Sequence, residues 1–443
     1  MKSKRRIMRS WAPGLAAVAI AAPLLGACGG GTPSSTPTTA ATSTTGATTT
    51  TAATTTTAAT TTTVATTTTA ANTTSTTGGP SSGVSVGSFN RNFTAMAQLR
   101  PVTTKGSGGI GAIMPDTVSS TRYVEFDAPY LTRAMRLAGL TSTQISVVNA
   151  HGSDAAQLAD AQAAITRGDK VLILDPLDSG TGAKIESYAS SHGVKVVDYD
   201  RLTLGGSRAY YVSFDNTHVG VLLGQGLVNC ISDWHVKSPQ VLVMHGAVTD
   251  NNATLFANGY DAVLDPLFTK GTYKLVGRPA GTWTPSVALT EFEQSYTAHP
   301  NINAILMPND ENGAPVITYL KSKGIKPDSL PVTGQDATLT GLGNVLGGYQ
   351  CGTVYKPIYE EAQAAVAIAL YLRAGMTPPA PLVNGKTEDT TANKQVPSVL
   401  LTPEWVTPAN MDSTVIADGF VRASQLCSPP YSTAAECKTA GIS

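Results

Sequence analysis

The chain has 443 residues, 42% of them hydrophobic, with 30 Lys plus Arg set against 30 Asp plus Glu. That length allows one or two ordinary domains with additional segments. Balanced charge leaves no basic excess to hold a nucleic-acid backbone and no acidic tail, so a role in nucleic-acid binding is not indicated.

The chain opens on a basic segment containing Lys2, Lys4, Arg5, Arg6 and Arg9, followed by an Ala-rich apolar run over 11–25. The run is short for a spanning helix, which needs about 20 apolar residues. Leu25-Gly26-Ala27 closes it directly before Cys28. This arrangement resembles the bacterial lipoprotein signal. Cleavage would remove residues 1–27 and leave Cys28 as the lipidated first residue, anchored at the extracytoplasmic face of the cell membrane by two or three acyl chains. An ordinary secretory peptide with a chance cysteine is the plainer alternative.

Residues 29–88 are nearly all Thr, Ala, Ser and Gly, and no Lys, Arg, Asp or Glu occurs between Arg9 and Arg91. Such a tract cannot bury enough apolar surface to offset its ordering entropy. It is expected to be a flexible stalk, and its composition permits O-glycosylation. Residues 89–106 carry Phe89, Phe93 and Leu99 without a clear period. They are read as a transition, so that 28–106 is stalk and the folded region starts near Gly109.

From there strand and helix patterns alternate. Strands are predicted at 110–115, 144–149, 170–176, 194–201 and 210–214, with helices at 131–140, 156–167 and 183–191 between them. A second cycle begins at His218, with strands at 240–244, 273–277, 302–307, 330–332 and 352–355. Its helices fall at 219–230, 253–264, 287–296 and 315–323. A long Ala-rich helix over 358–371, a polar loop over 376–395 and a last strand over 396–402 follow. Strands spaced by helices of this length form βαβ units, which predict mostly parallel sheets with right-handed crossovers. The repeated cycle predicts two similar α/β lobes.

Polar residues collect where strands end: Asp200-Arg201, Asn309-Asp310, Gln335-Asp336 and Lys356. Ligands of open α/β sheets bind beyond the carboxyl ends of the strands, so acids and bases at several such ends can meet in one cleft. The six histidines fall in no catalytic or metal motif, and the Gly-rich stretch at 104–109 lacks the Gly-Lys-Ser/Thr ending of a phosphate loop. Paired charges without a nucleophile, metal cluster or phosphate loop suit a polyol.

Several stretches taken together resemble the type I periplasmic sugar-binding proteins of bacteria, and among them the D-xylose-binding components of ABC transporters. They are Val197-Asp198-Tyr199-Asp200-Arg201, Tyr211-Val212-Ser213-Phe214-Asp215-Asn216 and Val248-Thr249-Asp250-Asn251-Asn252-Ala253. Trp283, Asn309-Asp310, Gly334-Gln335-Asp336-Ala337, Val354-Tyr355-Lys356-Pro357 and the segment 396–403 continue the series in the family's order. The resemblance covers roughly 107–422. It implies the type I fold: two similar three-layer lobes with mostly parallel sheets, joined by a three-stranded hinge. The first lobe would be 107–213 plus 357–395 and the second 214–356 plus 396–422, followed by a tail over 423–443. Crossings are expected at 215–216, 356–358 and 395–405.

The ligand set implied by the resemblance is Arg122, Asp200 and Arg201 from the first lobe. Asp250, Asn252, Trp283, Asn309, Asp336 and Lys356 come from the second lobe and its hinge strands. The family has Arg-Trp where this chain has Arg122-Tyr123, which reduces the stacking surface. Plainer roles stand beside these. Trp283 would be a core aromatic, Asp200-Arg201 a surface ion pair, and Lys356 a solvated lysine. Asp310 and Asp336 would be helix caps. Asp215-Asn216 fits a crossover and cap better than a ligand contact.

The implied function is capture of a monosaccharide, D-xylose foremost, by a monomeric binding domain that delivers it to the transmembrane subunits of an ABC permease. Neither catalysis, cofactor nor metal is implied. A sugar-sensing receptor for a signalling partner, or a preference for another pentose or hexose, are the alternatives. A glycoside-active enzyme would need two carboxyls at a fixed gap across a glycosidic bond, and a closed trap leaves no room for an aglycone. With Cys28 lipidated, Cys230, Cys351, Cys427 and Cys437 remain, with three pairings. Cys427 with Cys437 is favoured, pinning the tail; Cys230 and Cys351 would then pair, or Cys230 would be a buried helix residue.

Overall fold

Short apolar runs between helices supply the strands of both lobes. The computed structural model describes residues 84–442. The expected signal peptide, Cys28 and the expected stalk as far as residue 83 lie outside the described residues. In the first lobe, β1 (Gly109–Met114), β2 (Ile145–Asn149), β3 (Asp169–Leu174), β4 (Lys195–Tyr199) and β5 (Tyr210–Phe214) pair in parallel. In the second, β6 (Gln240–Val243) lies between β7 (Lys274–Gly277) and β8 (Ala304–Leu306), also in parallel. Val332 extends that sheet through a bridge to Ile305. Next comes β9 (Thr353–Tyr355), bridged in parallel to Gln335 through Val354.

The final strands are β10 (Gly385–Asp389), β11 (Lys394–Leu401) and β12 (Glu404–Val406). The first-lobe sheet runs β10-β11-β5-β4-β3-β1-β2. β10 pairs with β11, and β12 with β9, in antiparallel fashion. The sheets are therefore mixed. Every residue of β1 is buried, the pattern of a strand covered on both faces. Ile110, Val171, Val197 and Val212 pack with the Ala-rich helix Ile358–Arg373, whose Ala362, Ala365 and Ala369 are fully buried. Burying each Val or Ile contributes about 1.5–3 kcal/mol.

Three expectations are corrected. Residues 89–106 are not a transition. Phe89, Phe93, Met96 and Leu99 are buried in the first-lobe core; Met96 and Leu99 lie in the 3₁₀ segment Thr94–Leu99, Phe93 just before it and Phe89 just after the 3₁₀ segment Val86–Ser88. Their periodicity is split between short helical pieces, which hid it. The expected loop over 376–395 contains β10, whose side chains alternate between exposed and half-buried before the buried Asp389; its polar residues are those of an edge strand. β11 pairs with β5, so residues 396–401 lie on the first lobe, and the chain returns to the second lobe only between β11 and β12. The other passages run from β5 into the helix Asn216–Asp233 and from β9 into the helix Ile358–Arg373.

The segment after β12 is packed rather than free. Met411, Val415, Phe420, Leu426 and Ile442 form a core with Leu342 and Val345 of the helix Leu339–Leu346. Phe420 also stacks on Phe126 of the first lobe, ring centroids 4.0 Å apart. Cys427 is bonded to Cys437, and Cys230 to Cys351. The second bond ties the helix Asn216–Asp233 to the turn before β9.

Candidate functional site

Each lobe delivers polar side chains from its strand exits. Beyond β1, the loop through Ser119 and Ser120 leads to Arg122 and the single π-helical turn Tyr123–Asp127. Asp200 and Arg201 follow β4 directly. In the second lobe Asp250 caps the helix Asn251–Thr269, its side chain accepting from the Asn252 backbone N–H. Asn309 caps the helix Asp310–Ser322 in the same way, accepting from Asn312. Trp283 stands in the loop after β7, Asp336 follows the Gln335 bridge, and Lys356 follows β9.

The structure brings all nine of the sequence-selected residues to the wall of one narrow cavity. Trp283 is half-buried; the other eight are buried. Reaching that cavity puts two acids in an uncommon backbone region: φ is +55° at Asp200 and +88° at Asp336. Non-glycine residues held there cost roughly 1–3 kcal/mol each and cluster at ligand clamps.

The charges are paired. Arg122 donates to Asp200 at 3.1 Å and grips Asp127 with a fork, Nε to Oδ2 at 2.9 Å and Nη2 to Oδ1 at 2.8 Å. It also donates to Glu361 of the helix Ile358–Arg373. Lys356 Nζ lies 2.9 Å from Asp336 Oδ1. Arg201 Nε lies 3.4 Å from Asp250 Oδ2, which also accepts from the Trp283 indole N–H at 2.9 Å. The Tyr123 hydroxyl donates to Asp200 at 2.9 Å. Asn252 donates to the Asp200 carbonyl at 2.8 Å and accepts from Tyr211 at 3.0 Å.

These pairings set the protonation states. Burial pushes the Asp200 carboxyl up, but Arg122, Lys356 and Arg201 outweigh it and hold the group at about 2. Burial pulls Lys356 down, and Asp336 and Asp200 more than restore its charge. Burial raises Glu361 to about 8 against the pull of Arg122.

Three acids and three bases thus line the cavity with their charges matched in pairs. Carboxylates accept hydroxyl hydrogens, guanidinium and ammonium groups donate, and Asn does both. The aromatic side chains of Tyr123, Phe256 and Trp283 add apolar surface. The indole edge lies against Gly246, where an added Cβ would stand 2.2 Å from Cζ2. A neutral ring with hydroxyls at its edge and C–H groups on its faces fits this lining.

The lobes touch around the cavity. Asn309 donates to the Ser119 carbonyl at 3.1 Å, Ser120 to Asp336 at 3.2 Å, and the Thr121 backbone N–H to Glu311 at 2.9 Å. Among the residues read as helix caps, Asp215 is one, accepting from His218 at 3.0 Å. Asp336 is not; Thr338 caps the helix Leu339–Leu346. Asp310 is not the cap of its own helix. It accepts from Thr338, Gln350 and Thr353 at 2.7–2.9 Å and so fixes the segment bearing Asp336. Burial raises its carboxyl to about 7, with Gln350 and Thr338 opposing.

Ser119, Ser120, Tyr123, Phe256 and Gln335 also line the cavity and were not in the selected set. Phe256 stands four residues after Asn252, one helical turn along the same face, a spacing legible in the sequence. Glu361 had no local signal, since it reaches Arg122 from 239 positions away.

A family model described as a periplasmic binding protein domain matches residues 110–376. The D-xylose-binding periplasmic protein of Escherichia coli K12 is 36% identical over 288 residues, 64% of this chain and 83% of that protein. The multiple sugar-binding periplasmic receptor ChvE of Rhizobium radiobacter is 31% identical over 347 residues, 74% of this chain and 95% of that one. Among solved structures, a carbohydrate transporter solute-binding protein from Chloroflexus aurantiacus in complex with D-glucose aligns with a TM-score of 0.64 and 27% identity. That alignment covers 71% of this chain and 97% of the other.

Proposed function

This chain belongs to the type I periplasmic sugar-binding protein family, a family of solute-binding proteins and not of enzymes, and from that premise we propose that it captures D-xylose in the cavity between its lobes. The sugar is delivered to the transmembrane subunits of an ABC permease. The observation that carries this reading is the convergence of nine polar and aromatic side chains, with paired charges, on one cleft. The names of two relatives, from Escherichia coli and Haemophilus influenzae, support the choice of xylose in this reading. The glucose-bound neighbour makes hexoses the main competitors.

In this reading Arg122, Asp200, Arg201, Asp250, Asn252, Asn309, Asp336 and Lys356 hold the hydroxyls, and Trp283 lies along a ring face. The three passages between lobes act as a hinge that lets sugar in and out. Lipidation at Cys28 anchors the protein outside the membrane, and the Thr-rich stalk gives the binding domain reach. Two disulfides among the described residues are in keeping with an oxidising compartment.

Calorimetric titration of the purified chain with pentoses and hexoses tests the proposal. Xylose is expected to bind at one site per chain and more tightly than glucose, galactose, ribose or arabinose. A panel in which no monosaccharide gives heat would overturn it.

A further inference from the structure

Behind the cavity lies an acid that takes no part in its lining. Asp175 follows β3, its side chain is fully buried, and neither of its carboxylate oxygens accepts a hydrogen bond. Its backbone is satisfied: the N–H donates to the Ile113 carbonyl at 3.0 Å, and its carbonyl accepts from Gln157 at 2.7 Å. A buried, unpartnered carboxylate costs free energy unless something compensates it. The nearest cation is Arg201, whose Nε lies 3.9 Å from Asp175 Oδ1 and 3.4 Å from Asp250 Oδ2, with Arg122 acting on Asp175 from farther off. Arg201 is otherwise held by the Pro176 carbonyl at 3.3 Å and by Ser119 Oγ at 3.1 Å. These partners belong to the first lobe, as does Asp175. Asp250 belongs to the second.

The arginine is therefore shared between an acid that stays with it and an acid that leaves when the lobes part. In the closed arrangement Asp250 stands closer, and Asp175 is left beyond hydrogen-bond reach with no other donor. Once Asp250 moves away, Arg201 is free to turn to Asp175, and water can enter.

We propose that Asp175 is a positioning residue that competes with Asp250 for Arg201 and so favours reopening and sugar release. The inference rests on the reading of the cavity as an interlobe sugar site, and it adds a residue that does not touch the sugar. Its removal is expected to tighten binding, unlike loss of a lining residue, because apparent affinity rises with the fraction of protein in the closed form.

The test compares the full chain with Asp175→Asn and with the smaller neutral variant Asp175→Ser. Affinity and dissociation rate are measured with the sugar found by titration, and small-angle scattering is recorded without sugar. Both variants are expected to bind about three- to tenfold more tightly, with the gain in a slower dissociation rate. Their sugar-free radius of gyration is expected to shift towards that of the sugar-bound parent. Unchanged or weaker binding, with an unchanged dissociation rate in both variants, would overturn the role of Asp175 while leaving the sugar site intact. A parent that binds no monosaccharide would overturn both.

Discussion

Replacing Arg122 with Met is expected to abolish sugar binding and to lower the stability of the fold by about 3–5 kcal/mol, the usual cost of removing one partner from a buried ion cluster. Arg122 is 2% exposed and is bonded to three acids, Asp127, Asp200 and Glu361. Methionine fills much of the same volume, but it leaves Asp127, Asp200 and Glu361 without the guanidinium that bridges them.

The sign of the pH effect follows. In the parent, Asp200 sits at about 2 against an ordinary 3.8. A depressed carboxyl contributes stability that is present above the unfolded value and is lost as pH falls through the folded value. Loss of Arg122 removes the largest attraction that opposes burial, so that this contribution shrinks and the carboxyl takes up its proton at higher pH. Urea unfolding of the sugar-free protein at pH 7 and pH 3, the latter between the folded and unfolded values of Asp200, beside titration with sugar, measures both effects. A variant as stable as the parent at both values would show that the cluster is not what holds the first-lobe half of the cavity.

Asp336→Ala is expected to weaken sugar binding about a hundredfold or more while leaving the protein folded. Hydrogen bonds to a charged acceptor are worth about 1.5–3 kcal/mol each, and 1.4 kcal/mol is a factor of ten in affinity. In the proposed reading the substitution removes an acceptor for sugar hydroxyls. It also strips Lys356 of its partner at 2.9 Å and Ser120 of its cross-lobe acceptor at 3.2 Å. Asp336→Asn keeps the shape and one acceptor oxygen, and is expected to fall between the parent and the alanine variant. Titration reads the affinities, and thermal unfolding without sugar confirms the fold. If the alanine variant bound as tightly as the parent, Asp336 would not be a ligand residue.

Much of the site was legible because strand exits are short-range signals. Asp200-Arg201 and Lys356 directly follow strands and Asp336 stands four residues after the apolar run that ends at Val332, and the topology of α/β lobes carries such ends to one cleft. The residues that support them were not legible, because they act across the sequence. Glu361 meets Arg122 from another helix, and Asp175 reads in the chain as the ordinary polar end of a strand. The fold was legible where strand and helix periods were unbroken.

It was misread where they were not. The buried side chains Phe89, Phe93, Met96 and Leu99 lie in and beside short 3₁₀ pieces. β10 carries the charges of an edge strand, which look like those of a loop. The assignment of β11 to the first lobe is decided by pairing with β5, which local pattern does not contain.

A crystal structure with the sugar selected by titration tests the central claim most directly. The expected result is one monosaccharide enclosed between the lobes, with hydroxyls bonded to Asp200 and Arg201 on one side and to Asp336 and Lys356 on the other, and with Trp283 along a ring face. A structure in which the interlobe cavity is empty and the sugar is held elsewhere would contradict it.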